Sequence, residues 1–387
     1  MVSNLPKSKF ATRTIHAGQS PDPTTGAIMT PIYASSTFVQ DSPGVHKGYE
    51  YARTGNPTRK AYEMCMADLE GGKSAFAFAS GLAAADTVLS LINSGDEVLA
   101  MNDLYGGSRR LFENVRKRTS NLKFNFGDLS NNSNLEILIT KNTKMIWVET
   151  PTNPMLKILD LEYISKVAKK YNIITVADNT FCSPYIQRPI ELGFDIVVHS
   201  ATKFLNGHSD MVGGIVVCSS EEQAEEIAYL QNAVGAVPSP FDCYLLTRSI
   251  KTLSVRMQRH NENASKIADY LSTNSKITKI HYPGVDIKYK ELASRQMDGM
   301  GGMMSIVVDA DIDGINRFLQ SLNFFTLAES LGGVESLIEH PAIMTHASID
   351  KEIRDSLGIS DNLLRLSIGI EHEDDIILDI KNALEKI

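Results

Sequence analysis

Ile196-Val197-Val198-His199-Ser200-Ala201-Thr202-Lys203-Phe204-Leu205-Asn206-Gly207-His208-Ser209-Asp210 begins as an apolar run and breaks off into a polar cluster. Ile196-Val197-Val198 reads as a buried strand, and Ser200, Thr202 and Lys203 stand where it stops. In α/β sheets, ligands sit outside the carboxyl ends of the strands. A lysine delivered to that crevice can form an imine with a carbonyl cofactor or substrate, and two neighbouring hydroxyls suit an anion such as phosphate. A lone lysine after a strand more often opens a solvated loop. The rest of the chain has to decide between these readings.

Upstream of that run, strands and helices alternate. Asn56-Pro57 starts a helix with a side-chain cap and a pre-set proline. Tyr62, Cys65, Met66 and Leu69 recur along it at helical spacing, and Gly71-Gly72 ends it. "SAFAFASG" is a strand running into a glycine turn, and "LAAADTVLSLI" is the next helix. Gly81 and Leu82 therefore sit at a helix N-terminus, where free N–H groups favour phosphate. "EVLAM" (97–101), "MIWVET" (145–150), "IITVADN" (173–179) and "GGIVVCSS" supply further strands. Helices are expected from about Ser108 and over Asp160–Tyr171. Strands separated in this way imply right-handed crossovers and a mostly parallel sheet, with Thr150, Asp178 and Lys203 along one edge. The fold class is α/β.

After about residue 250 the pattern changes to a long helical stretch, Phe241–Ser272, followed by fewer and more separated strands: "ITKIHYPG", "MMSIVVDA" and "LLRLSIGI". This predicts a smaller C-terminal α+β domain over 252–387, a large domain over 56–251, and an N-terminal arm over 1–55. The arm is rich in Pro, Thr, Ser and Gly, yet carries Tyr33, Phe38, Tyr49 and Tyr51. Disordered tails are poor in aromatics, so the arm is expected to lie on another surface, such as a neighbouring subunit.

Composition narrows the function classes. A chain of 387 residues with 43% hydrophobic and 22% charged residues is long enough for two domains. A net charge of −8 argues against nucleic acid or an anionic membrane as main partner. Cys65, Cys182, Cys218 and Cys243 are widely spaced and form no C-x-x-C pair, so buried free thiols in a reducing compartment are expected. No apolar signal core or membrane span is evident, and the basic residues Lys7, Lys9 and Arg13 are too few and unpatterned for a transit peptide. The expectation is a cytoplasmic protein.

Three other motifs lead elsewhere and fail. Glu70-Gly71-Gly72-Lys73-Ser74 resembles a P-loop, but Ala67 stands where its first glycine belongs, and Lys73 precedes a strand. Asp309-Ala310-Asp311-Ile312-Asp313-Gly314 opens like an EF-hand, but Gln320 replaces the bidentate Glu; acids capping a helix fit better. His199, His208 and Asp210 have no helix to align them as metal ligands.

The polar residues at the strand ends form a coherent set instead. Lys203 can make an imine, and Asp178 can pair with a protonated ring nitrogen. The Gly81 and Leu82 N–H groups with Ser200 and Thr202 can hold a phosphate, and Tyr105 can stack on an aromatic ring. This is the equipment that pyridoxal phosphate needs. With "ADNTF", "HSATKFLNGHSD", "YEYARTGNPTR", "DLYGGSRR" and "LAESLGGVESLIEHPAIMTHAS", the chain resembles the Cys/Met-metabolism family of pyridoxal-phosphate enzymes from about Thr12 to its C-terminus. Members include cystathionine γ-lyase, cystathionine γ-synthase, cystathionine β-lyase and methionine γ-lyase.

The resemblance implies a fold-type I pyridoxal-phosphate-dependent transferase fold, with the coenzyme in the large domain. Lys203 would be joined to the coenzyme and shuttle protons at Cα and Cβ of the substrate. Asp178 would keep the pyridine nitrogen protonated, and Tyr105 would stack on the ring and act near the leaving group. Gly81, Leu82, Ser200 and Thr202 would hold the phosphate, joined by Tyr51 and Arg53 of a neighbouring subunit. Arg365 would fork the substrate α-carboxylate, helped by Asn153 and the Ser330 backbone. A homotetramer built as a dimer of dimers follows from the same resemblance.

Among the family's reactions, Glu329 points to L-cystathionine, because a carboxylate there suits a distal ammonium, and Arg110 could bind the distal carboxylate. Bacterial-type β-lyases tend to place an aromatic at Glu329, and methionine γ-lyases an apolar residue. Methionine γ-lyases also usually carry a cysteine where this chain has Gly107. The expected reaction is α,γ-elimination to cysteine, 2-oxobutanoate and ammonia, with hydrogen sulfide release as a side activity. γ-Replacement of an acylated homoserine by cysteine, β-cleavage, methionine γ-cleavage, transamination, and a scaffold that has lost its chemistry are the alternatives.

Overall fold

The computed structural model describes residues 8–347 and 349–387. Lys7 of the basic N-terminal run lies outside them. Asn56 begins the first long helix, Pro57–Glu70, by accepting the Thr58 and Arg59 N–H groups at 2.9 and 3.1 Å. Gly71 ends it in the left-handed conformation, φ 74°, which only glycine adopts freely. This helix covers one face of a seven-stranded sheet whose strands, in chain order, are β1 (Ser74–Phe78), β2 (Glu97–Met101), β3 (Lys123–Gly127), β4 (Thr143–Glu149), β5 (Ile174–Asp178), β6 (Ile196–Ser200) and β7 (Gly214–Cys218).

Across the sheet the order is β1-β7-β6-β5-β4-β2-β3. The pairs among β6, β5, β4, β2 and β3 are parallel, whereas β7 runs antiparallel to both β6 and β1. The sheet is thus mostly parallel, as the α/β pattern requires. Alternation sorts its residues between two faces. Val197, Ile215 and Val217 pack with Tyr62, Cys65 and Met66 of the helix Pro57–Glu70. Val176, Val198, Val216 and Trp147 pack on the other side with the helix Gly81–Leu89. Each such fully buried apolar side chain stabilises the sandwich by about 1.5–3 kcal/mol.

A second, five-stranded sheet contains β8 (Ile277–His281), β9 (Met303–Val308), β10 (Thr326–Leu327), β11 (Leu337–Glu339) and β12 (Leu363–Ser367), in the order β8-β9-β12-β11-β10. Met304, Ile306, Leu364 and Leu366 point into a core shared with helices Leu253–Ser272 and Glu373–Leu384. Period two then turns Arg365 and Glu339 to the opposite face.

Several local expectations change. The expected helix Phe241–Ser272 is two helices, Pro240–Ile250 and Leu253–Ser272. They part where Thr252 Oγ1 and the Arg256 guanidinium both donate to the Ser249 carbonyl at 3.0 Å. The helix expected near Ser108 runs as α-helix over Gly106–Arg110 and as π-helix over Leu111–Arg116. The arm includes a short helix, Phe10–His16, tied to the helix Pro57–Glu70 by an Arg13–Asp68 ion pair at 2.8 Å. Asp311 caps the helix Ile312–Gln320 through the Gly314 N–H at 2.8 Å, the role assigned to the EF-hand-like acids.

One close approach controls the sheet edge that matters most. A Cβ on Gly214 would stand 2.2 Å from Ser80 O and 2.9 Å from Gly81 N. A Gly214→Ala substitution is therefore expected to destabilise the protein by about 1–3 kcal/mol in urea unfolding and to weaken coenzyme retention. Wild-type values on both counts would refute the tight fit.

Candidate active site

The carboxyl ends of β4, β5 and β6 meet the Ser80–Gly81 turn and the Arg365 face of the second sheet around a cavity of about 310 Å³. A volume of that size lies at the small end for cofactor and ligand sites. Its wall includes Gly81, Leu82, Tyr105, Asn153, Asp178, Ser200, Thr202, Lys203, Glu329, Ser330 and Arg365. Eleven residues scattered over nearly 300 positions of sequence are thereby brought to one place. Three other residues singled out in the sequence lie elsewhere. Tyr51 is 46% exposed, and Arg53 stacks over it and donates to Asn232 at 3.3 Å. Arg110 lines a neighbouring polar cleft with Lys117 and Asp350.

Each wall residue has a local cause. Ser80 caps the helix Gly81–Leu89, its hydroxyl taking the Ala83 N–H at 3.0 Å and its carbonyl the Ala84 N–H at 3.1 Å. The Gly81 and Leu82 N–H groups are left to face the cavity. Gly81 must be glycine, because a Cβ would stand 2.9 Å from Cα and Cβ of Ser200. Thr180 ties the base of the site together. Its hydroxyl donates to Asp178 at 2.5 Å and accepts the Ser200 N–H at 2.9 Å. Burial pushes the Asp178 carboxyl up, and the Thr180 bonds oppose that. Tyr105 leans over Gly107, where a Cβ would meet its ring at 2.3 Å.

Lys203 leaves β6 on a loop gripped from below by Arg256. That buried guanidinium donates to the Phe204 carbonyl at 2.7 Å and the Leu205 carbonyl at 3.2 Å. The Lys203 amine donates to Ser330 Oγ at 2.7 Å. Burial, helped by the nearby Arg365 charge, lowers its pKa from 10.5 to about 8. Ser330 holds φ at 98°, a setting costing about 1–3 kcal/mol for a residue with a side chain. It thereby points its hydroxyl at Lys203 and its carbonyl at Arg365, which donates to that carbonyl at 3.0 Å.

Some residues escaped the sequence reading. The strand exit read as Thr150 is in fact Glu149; Thr150 is buried, and its hydroxyl takes the Leu159 N–H at 3.1 Å. Glu149 lines the cavity, accepts the Tyr105 N–H at 2.8 Å, and has its carboxyl pushed well up by burial and by Asp178. Thr180 had a local signal, since a hydroxyl two residues after an Asp commonly closes such a turn. Arg256 and Glu339 had none, because the partners that tie them to the site, the Phe204 carbonyl and Arg365, lie 52 and 26 positions away in sequence. His199 faces Glu70 at 2.5 Å inside the protein rather than a metal. The four cysteines are free and buried, and burial raises Cys65 and Cys218 to about 12.

Comparison with known proteins places this architecture. The family of Cys/Met metabolism PLP-dependent enzymes matches over residues 11–385. A cystathionine β-lyase of Coxiella burnetii is 55% identical over 99% of this chain and all of its own. A cystathionine γ-lyase of Dictyostelium discoideum is 50% identical over 98% of each. A solved cystathionine γ-lyase of Lactobacillus plantarum, complexed with L-serine, superposes with a TM-score of 0.95 at 47% identity, covering 98% of this chain and 99% of that one. The chain belongs to the Cys/Met-metabolism family of pyridoxal-phosphate-dependent enzymes.

The cavity fits that coenzyme on its own chemistry. A helix N-terminus with two free N–H groups and a glycine packed on Ser200 makes a phosphate cup, Asp178 is an acid on the floor, and Lys203 is an amine poised near neutrality. In coenzyme-free protein, acylation of Lys203 followed by mass spectrometry should rise with pH with a midpoint near 8, because the neutral amine is the nucleophile. A midpoint near 10.5, as for a solvated lysine, would contradict the desolvated setting.

Proposed function

We propose that this protein cleaves L-cystathionine by α,γ-elimination to L-cysteine, 2-oxobutanoate and ammonia. The observation that carries the reading is Glu329, an exposed carboxylate at the cavity rim beside Ser330 and within electrostatic reach of Lys203 and Tyr105. A carboxylate there is the natural partner for the distal ammonium of cystathionine. Arg110, in the polar cleft with Lys117 and Asp350, would meet the distal carboxylate.

The remaining roles follow from the chemistry of the wall. Arg365 forks the α-carboxylate of the substrate, with Asn153 and the Ser330 carbonyl holding the guanidinium. Gly81, Leu82, Ser200 and Thr202 hold the coenzyme phosphate, and Asp178 holds a proton on its ring nitrogen. Bound pyridoxal phosphate supplies the sink for the electron pair left at Cα. Lys203, with its pKa near 8, takes the proton from Cα and then moves one at Cβ. The Tyr105 hydroxyl gives a proton to the departing sulfur at Cγ. Sulfide release from cysteine would use the same groups.

Tyr51 and Arg53 stand outside their own cavity on the arm over 1–55, which suits completion of a second subunit's phosphate site. We assign the arm that role, the coenzyme to the region 56–251 and the Ser330 and Arg365 wall of the site to a smaller domain over 252–387, in a homotetramer of two such dimers. Co-expressing Lys203→Ala and Arg53→Ala chains should restore part of the activity that each lacks alone, through hybrid sites with an intact complement. No recovery would refute sharing.

β-Elimination, giving homocysteine, pyruvate and ammonia, is the competing reading, favoured by the similarity to proteins named cystathionine β-lyase in Coxiella burnetii and Lactococcus lactis. Product analysis on L-cystathionine separates them: 2-oxobutanoate with cysteine supports the proposal, and pyruvate with homocysteine overturns it. Glu329→Ala should raise KM for cystathionine about tenfold, or ~1.4 kcal/mol, and leave the KM of an amino acid without a distal ammonium unchanged.

A further inference from the structure

Arg365 has five N–H donors in a planar fork, and hydrogen bonds to the protein occupy two of them. Nη1 donates to Asn153 Oδ1 at 3.0 Å and meets Glu339 Oε1 at 3.0 Å, while Nη2 donates to the Ser330 carbonyl at 3.0 Å. Nε–H is buried with no hydrogen-bond partner among the described residues, where Nη2 makes a single hydrogen bond. Nε and Nη2 share one edge of the guanidinium, the edge that matches a carboxylate with two parallel bonds. At the other end of the fork stands a second charged group.

That group is Glu339, 1% exposed and directly across from Arg365 in the β11–β12 register. Its Oε1 also accepts the Thr345 hydroxyl at 2.8 Å, and its Oε2 is buried without a partner among the described residues. Thr345 lines the cavity, and its carbonyl lies where a Cβ on Gly106, next to Tyr105, would come within 2.6 Å. A carboxylate in this setting does more than neutralise a buried arginine. It pins one end of the fork and opposes its positive charge, so it competes with whatever anion the free edge takes up.

We infer that Glu339 is a positioning residue that sets both the aim and the strength of carboxylate capture by Arg365. The inference rests on the proposal that Arg365 takes the substrate α-carboxylate. Two effects separate under substitution. Glu339→Gln keeps an oxygen for Nη1 and Thr345 but removes the opposing charge; Glu339→Ala removes both the charge and the anchor. The two variants should therefore move carboxylate affinity in opposite directions.

The test titrates holoenzyme with L-alanine, which has no leaving group, and with ethylamine, its counterpart lacking the carboxylate, following the visible absorbance of the coenzyme. Glu339→Gln should bind L-alanine about threefold to tenfold more tightly, and Glu339→Ala about tenfold or more weakly, as expected for buried charge partners. Ethylamine should stay within about twofold in both, because it does not engage the fork. L-Alanine binding no tighter in Glu339→Gln, or ethylamine moving in step with L-alanine, would overturn the inference. Arg365→Ala provides the separate check: if it fails to weaken L-alanine relative to ethylamine, the role given to Arg365 itself is wrong, whatever the Glu339 variants do.

Discussion

A lysine amine held out of water beside an arginine is the constraint around which this fold is arranged. Left alone, such an amine would swing toward solvent or drag water in. Here it is kept in place by one hydroxyl, Ser330 Oγ, and by a loop whose carbonyls are fastened to the buried Arg256. The lowered proton affinity of Lys203 is the consequence. It gives the amine two capacities at neutral pH, as a nucleophile toward an aldehyde and as a proton carrier.

The same constraint couples the two sheets. Ser330 belongs to the second sheet's side of the site, yet its strained backbone presents the hydroxyl to Lys203 and the carbonyl to Arg365. Arg365 in turn reaches Asn153, on the turn after β4, and Glu339 across the β11–β12 pair. Lys203 and the Arg365 guanidinium are thus parts of one network. Moving β12 would change how Lys203 is held.

Legibility in the sequence followed the range of the interactions. Elements fixed by neighbours in the chain were readable: the Asn56-Pro57 cap, the Gly71 stop, the apolar runs of β1, β2, β5, β6 and β7, and the Asp160 cap of helix Leu161–Tyr171. β3, "KFNFG", was not singled out, because its short mixed run has little apolar character before it pairs with β2. The break before Leu253 was hidden, since it depends on an arginine folding back onto Ser249. At the site, Lys203, Asp178 and the Ser80-Gly81 turn stand at strand ends and announce themselves. Glu339 does not. In sequence it is an acid after two aliphatic residues, and only the register of β11 against β12 sets it opposite Arg365.

The chemistry of the site turns on which amine meets the coenzyme. Borohydride reduction of the holoenzyme, proteolysis and mass spectrometry of the modified peptide would settle it. The geometry predicts one pyridoxyl group per chain, carried by the peptide around Ser200–Gly207 on Lys203. Recovery of the label on any other lysine would contradict the central claim.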